Sequence, residues 1–162
     1  MNYQKLLGER LSDWRPDEVG TLMFVVQETS VLLIRKKRGH GAGKINGPGG
    51  KLEDGENPLS CAVRETFEEV GITAHTPELL GEFKFVDLVA PQWLGYAFLA
   101  RSFHGIPKET EEAVPLWFEF DRIPYAEMWP DDRHWLPLLL AGKKVTGEFL
   151  FDDGRLLAHR LR

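Results

Sequence analysis

A chain of 162 residues carrying 25 acidic and 20 basic side chains, for a net charge of -5, is long enough for one domain with a proper core. The acidic balance argues against capture of long nucleic acids, which need a basic footprint, and no apolar run approaches the roughly 20 residues that span a bilayer. The first residues lack the apolar centre of a signal peptide, and the single Cys61 cannot form an internal disulfide, so a reduced thiol in a cytoplasmic protein is expected.

Residues 1–19 read as an N-terminal extension ahead of a domain over 20–162. Leu6, Leu7 and Leu11 line one side of a predicted helix, and 13–20 reads as a linker. This segment either packs on the domain or joins a homodimer. Two β-rich apolar runs, 21–27 and 31–35, flank a polar Glu28-Thr29-Ser30 turn and predict a hairpin. The second run ends in Arg35-Lys36-Lys37-Arg38 and leads into a loop dense in glycine, 39–50. Such a loop lets the backbone approach a ligand closely, and its N–H groups with Lys36, Lys44 and Lys51 form a candidate phosphate cradle.

The next stretch predicts one short helix. Asn57 suits the N-cap, Pro58 the first helical position, and Gly71 the left-handed stop. Leu59, Ala62, Val63, Thr66, Phe67 and Val70 fall at helical spacing as the buried stripe, with Cys61 in the same helix. The other side carries Glu65, Glu68 and Glu69, whose β-carbons lie roughly 5–6 Å apart at such offsets. Three like charges repel on so short a helix. A hard divalent cation, which takes several oxygen ligands, gives the cluster a purpose.

Beyond it, 73–80 is a connection or short strand, and 81–89 with 93–101 predict a second hairpin around Ala90-Pro91-Gln92. Phe83 and Phe85 share one face of the first strand, and Tyr96 and Phe98 share a face of the second. They serve the core or a base-stacking pocket. An acidic loop at 108–112 precedes a strand at 115–120 and offers one more metal ligand. A helix is predicted at 134–141 with Pro137 near its start. A last hairpin joins 145–151 to 156–161 around Asp152-Asp153-Gly154. Together these elements predict a mixed sheet flanked by at least two helices, with loops building a cleft on one side.

Gly50, Glu56, Arg64, Glu65, Glu68, Glu69, Gly71 and Ile72 match the Nudix box, G-x5-E-x7-R-E-U-x-E-E-x-G-U with U aliphatic; Thr66 stands at one aliphatic position. From about Thr21 onward the chain also resembles the MutT-type 8-oxo-dGTP diphosphatases of that family. The resemblance is carried by Lys-Lys-Arg-Gly-His-Gly-Ala-Gly-Lys-Ile-Asn-Gly at 36–47, Met-Trp-Pro-Asp-Asp at 128–132 and Trp-Leu-Pro-Leu-Leu-Leu at 135–140.

The resemblance implies an α/β fold, the Nudix α/β/α sandwich, and hydrolysis of a purine nucleoside triphosphate such as 8-oxo-dGTP or dGTP to monophosphate and pyrophosphate. It implies Mg²⁺, or Mn²⁺, held by the Gly49 carbonyl and by Glu65, Glu68, Glu69 and Glu112. Arg64 would pair with Glu56 to brace loop against helix. Asn46, Asp131 and Asp132 would bond the purine edge, Trp129 and Phe85 would contact the base, and Lys36 and Thr21 would lie near sugar or phosphates, with Gly50 and Lys51 in the phosphate loop. Glu65, and after it Glu68, is the candidate general base. Adjacent in an apolar pocket, Asp131 and Asp132 would shift each other's pKa so that one stays protonated and donates. The chain departs from the mammalian pattern at His40, Pro48 and Asp87, which replace aromatics, and at Leu94, which replaces a methionine. His40 is open to three roles: stacking on the base, bonding it, or facing solvent. Two other readings are a Nudix hydrolase for another nucleoside diphosphate-linked substrate and a nucleotide-binding module without turnover.

Overall fold

In the computed structural model, which describes residues 1–89 and 91–162, the first two apolar runs pair as an antiparallel hairpin. β1 spans Glu18–Gln27 and β2 spans Ser30–Lys36. The expected linker therefore ends earlier than its composition suggests, because Glu18, Val19 and Gly20 already pair with Trp93, Leu94 and Gly95. β1 and β2 are neighbours only at the hairpin end, Val25–Gln27 against Ser30–Leu32. Beyond that, the same edge of β2 pairs with the short β3 (Ile45–Asn46), and its other edge with β8 (Ala113–Glu119). The two strands splay, and the glycine loop fills the opening.

α2 (Pro58–Val70) follows the loop, then β4 (Thr73–His75), β5 (Glu78–Asp87), β6 (Trp93–Ala100) and β7 (Ser102–His104). The expected turn between β5 and β6 falls partly on Ala90, outside the described residues. After β8 come 3-10 turns at Phe120–Arg122 and Tyr125–Glu127, α3 (Asp132–Leu140), β9 (Val145–Asp152) and β10 (Arg155–Leu161). Among the described residues the main sheet has eight strands in the order β10-β9-β5-β6-β1-β2-β3, with β8 beside β2; β4 and β7 make a small sheet of their own. β1 runs parallel to β6 and β5 parallel to β9, and the other pairs are antiparallel.

Strand periodicity assigns the layers. Phe24 and Val26 of β1 and Phe83 of β5 pack with Trp135, Leu136 and Leu139 of α3 on one face. Met23 and Val25, on the other face, pack with Ala62 and Val70 of α2. On that second face, toward β9 and β10, lies the N-terminal helix α1 (Tyr3–Leu11), whose Leu7 is buried against Val86, Leu150 and Ala158.

Two helix expectations need correction. The buried arc of α2 is Cys61, Ala62, Thr66, Glu69 and Val70, while Leu59 and Phe67 stand 45% and 57% exposed. The helix packs against the glycine loop as well as the sheet, which rotates the buried side toward Cys61 and Glu69. α3 begins at Asp132, two residues before His134, so Pro137 lies inside it rather than near its start.

Candidate active site

The site is built where the glycine loop meets β1 and α2. Thr21 N donates to the Gly50 carbonyl at 2.8 Å and Met23 N to the Pro48 carbonyl at 2.7 Å, so 48–50 run beside the splayed end of β1. A β-carbon on Gly49 would lie 1.8 Å from the Thr21 carbonyl oxygen, and one on Gly50 2.4 Å from the Glu65 carboxyl carbon. Glycine at both places lets backbone and carboxylate meet. Gly49 N donates to Glu69 Oε1 at 2.8 Å, and Cys61 Sγ lies 3.4 Å from Thr21 Oγ1.

On α2, Arg64 organises the acids. Its Nε and Nη2 bind both Glu56 oxygens at 2.7 and 2.9 Å, and its Nη1 reaches Glu65 at 3.0 Å and Glu68 at 3.2 Å. The guanidinium holds the Glu56 carboxyl down at about 2, and Glu56 in turn raises the Arg64 pKa. Glu69 is 2% exposed, and burial pushes its carboxyl up to about 8 against the Gly49 N–H, with Glu65 adding to the rise. Burial also raises Glu65 despite Arg64, and Glu68 and Glu112 add to that rise. Glu112 comes from the loop before β8: Thr110 Oγ1 donates to the Glu69 carbonyl at 2.7 Å and accepts from Glu112 N at 3.2 Å.

Among the described residues, no three His, Cys, Asp or Glu side chains already surround one point as metal ligands. Glu65 and Glu68 turn to Arg64, Glu69 turns to Gly49, and Glu112 has Arg38 at 3.6 Å. The donor set nevertheless suits a hard divalent cation. It is all oxygen, and the Glu112 charge raises both Glu65 and Glu69, with Glu68 adding at Glu65 and Glu65 adding at Glu69, a repulsion such a cation relieves.

Beside this cluster opens a cavity of about 780 Å³. Thr21, Lys36, His40, Asn46, Gly50 and Lys51 line one part of it, and Phe85, Trp129, Asp131 and Asp132 another. These candidate substrate contacts therefore face the same space, while Lys44, the third lysine of the expected phosphate cradle, does not line it. The metal candidates Glu65, Glu68, Glu69 and Glu112 lie outside it, adjoining through Gly49 and Gly50. Asp87 and Leu94 line the cavity too, whereas Pro48 is buried beneath the loop and does not.

The deep end is acidic. Asp131 and Asp132 are 3% and 2% exposed. Trp135 Nε1 donates to Asp131 Oδ2 at 2.7 Å, while Asp132 Oδ2 has no partner among the described residues. Burial raises Asp131 to about 6 and raises Asp132 strongly, and the neighbouring Asp131 charge raises Asp132 further. A protonated carboxyl here donates and an ionised one accepts. At the mouth, His40 stacks between Trp129 (5.1 Å, 16°) and Trp93 (5.8 Å, 23°), and Lys44 Nζ stands 4.9 Å from the Trp129 ring centre. Partial burial, then Lys36, lowers the His40 pKa, which favours the neutral ring.

Sequence reasoning missed Trp93, Phe151 and the use of Asp152-Asp153-Gly154 as cavity wall. Nothing local marks them. Trp93 reaches the site because β6 runs parallel to β1, and Phe151 with the turn after it because β9 runs parallel to β5, with Asp87 beside Phe151.

The NUDIX domain family matches residues 14–139. The chain belongs to the Nudix family. It is 44% identical over 144 residues to the oxidized purine nucleoside triphosphate hydrolase of Mus musculus, across 88% of this chain and 92% of that one. Identity to the protein of the same name from Danio rerio is 44% over 143 residues, covering 87% and 92%. The crystal structure of a MutT protein from Bacillus halodurans superposes with a TM-score of 0.79 at 32% identity, covering 89% of this chain and 97% of that one. This Nudix hydrolase thus has the family's α/β sandwich, and Nudix hydrolases act on nucleotides with divalent metal ions. No helix among the described residues is long and apolar enough to cross a membrane.

Proposed function

We propose that this Nudix hydrolase cleaves purine nucleoside triphosphates (8-oxo-dGTP, dGTP or a close analogue) to monophosphate and pyrophosphate with Mg²⁺ or Mn²⁺, sanitising the nucleotide pool of the cytoplasm. The observation that carries the reading is the junction at Gly49 and Gly50. There a carboxylate cluster meets a cavity whose far end holds two buried aspartates able to read a purine edge. The relatives' shared name supports the same substrate class.

In this reading Asp131, Asp132 and Asn46 bond the base edge, Trp129 and Phe85 hold its faces, and His40 stacks at the mouth. Thr21, Lys36, Gly50 and Lys51 orient sugar and phosphates. Glu65, Glu68, Glu69, Glu112 and the Gly49 carbonyl hold the cation, which when bound neutralises polyphosphate charge. A Glu65 carboxylate oxygen takes the proton of the attacking water, with Glu68 as the second candidate. Glu56 and Arg64 keep loop and helix in register.

The test is pyrophosphate release from a purine triphosphate panel in Mg²⁺. Release of pyrophosphate with nucleoside monophosphate is expected; inorganic phosphate alone rejects the reading. Glu65→Gln is expected to lose roughly 10²–10⁴ in kcat, the range for a general base; unchanged turnover removes Glu65 from that role.

A further inference from the structure

Residues 13–17 precede most of the sheet, yet they are tied to the turn that walls the cavity. Trp14 Nε1 donates to Gln92 Oε1 at 2.8 Å, and Gln92 N donates to Asp17 Oδ2 at 2.7 Å. The Gln92 carbonyl accepts from Asp17 N and Glu18 N at 2.8 and 3.0 Å. The same side chain also reaches back across its own turn. Its Oε1 accepts from Asp87 N at 2.9 Å, and its Nε2 donates to the Asp87 carbonyl at 2.9 Å. Gln92 thus joins two segments, with both lone pairs of its amide oxygen used.

On one side of this junction Asp87, Val89, Pro91 and Trp93 line the cavity. Trp93 continues through the His40 ring to Trp129. On the other side stands a platform anchored by α1, with Leu7 buried on the sheet, Trp14 packed against the same cluster and Lys84 Nζ 5.7 Å from the Trp14 ring centre. Trp14 and Asp17 do not line the cavity themselves. Without the Trp14 N–H, Gln92 keeps its bonds to Asp87 but loses a side-chain tether to that platform.

We propose that Trp14 is a positioning residue for substrate binding, acting through Gln92 to fix the cavity wall of Asp87, Val89, Pro91 and Trp93. The inference rests on the cavity being the nucleotide site. The tether makes no bond to Glu65, Glu68, Glu69 or Glu112, so it sets affinity and not the rate of the chemical step.

Trp14→Phe keeps the ring's bulk and removes only the donor. The KM for dGTP is expected to rise roughly threefold to tenfold, as for loss of one part-buried hydrogen bond, with kcat unchanged. Gln92→Ala, which also cuts the turn's own bonds, should raise KM further. Amide exchange of residues 86–94 in the nucleotide-free protein should quicken in both variants. Unchanged KM in both, with only the melting temperature lowered, overturns the proposal, as does a loss of kcat at constant KM. If the wild-type chain hydrolyses no purine triphosphate, the functional reading fails on its own. Exchange at 86–94 still decides the tether, and no change there in Trp14→Phe overturns it.

Discussion

Gly49 shows how much depends on a missing side chain. The glycine-dense loop marked a close approach, and several of its glycines do take left-handed torsions: Gly39, Gly41 and Gly43 have φ of 81°, 80° and 87°. Gly49 does not. Its constraint is space, because an added methyl would meet the Thr21 carbonyl and the Leu22 α-carbon, and backbone cannot swing aside as a side chain can. Gly49→Ala is expected to destabilise the fold by about 1–3 kcal/mol, the usual cost of overpacking, read as a lower urea midpoint. It should also disturb the Glu69 carboxyl, whose Gly49 N–H partner must move. Glu69 was itself only half legible. Its place on an acidic face followed from helical spacing, but its burial depends on the loop folding over it.

At the scale of the element, α2 was read well at its ends and less well around its axis. The Asn57 side chain accepts from Ser60 N at 2.8 Å, Pro58 opens the helix, and Gly71 closes it at φ 78°. Asn57→Ala is expected to cost about 1 kcal/mol, with an unchanged denaturant slope, because one orphan N–H loses its acceptor. Ends are local chemistry and can be read from a few residues. The buried arc depends on what the helix meets, and here it meets a loop of glycines as well as a sheet. Thr66 fits that arc because its hydroxyl donates to the Ala62 carbonyl at 2.7 Å, so its own oxygen is not left unpaired when buried.

For the whole molecule, the buried acids make stability depend on pH. The folded-state value of Glu69, about 8, lies above its ordinary 4.5, so the folded chain holds the proton more tightly than the unfolded chain. That contribution is full below the ordinary value and is lost as pH rises toward 8. Asp131, raised to about 6, acts in the same direction over a lower window. With chelator present, the melting temperature is expected to fall between about pH 5 and pH 9, and Glu69→Gln should flatten the upper part of that fall. If Glu69 holds the cation as proposed, added Mg²⁺ should restore more stability at the alkaline end, since metal and proton would compete for its oxygens. A flat profile in chelator would contradict the burial of these groups.

The sequence alone settled whatever neighbours along the chain decide: the β1–β2 and β9–β10 hairpins, the caps of α2, and the spacing that puts Arg64 and the acids on one helix. It also marked Thr21, Lys36, His40, Asn46, Phe85, Trp129, Asp131 and Asp132, all of which line the cavity, because they stand in or beside recognisable local runs. Only the tertiary structure decided that Trp93, Phe151 and the Asp152-Asp153-Gly154 turn share that cavity, that Glu69 is buried, and that Trp14 is tied through Gln92 to the cavity wall. Glu69 is covered by the glycine loop; for the rest the physical reason is the parallel pairing of β1 with β6 and of β5 with β9. Partners in a parallel pair are far apart in sequence and share no turn, so no local pattern announces which residues will meet.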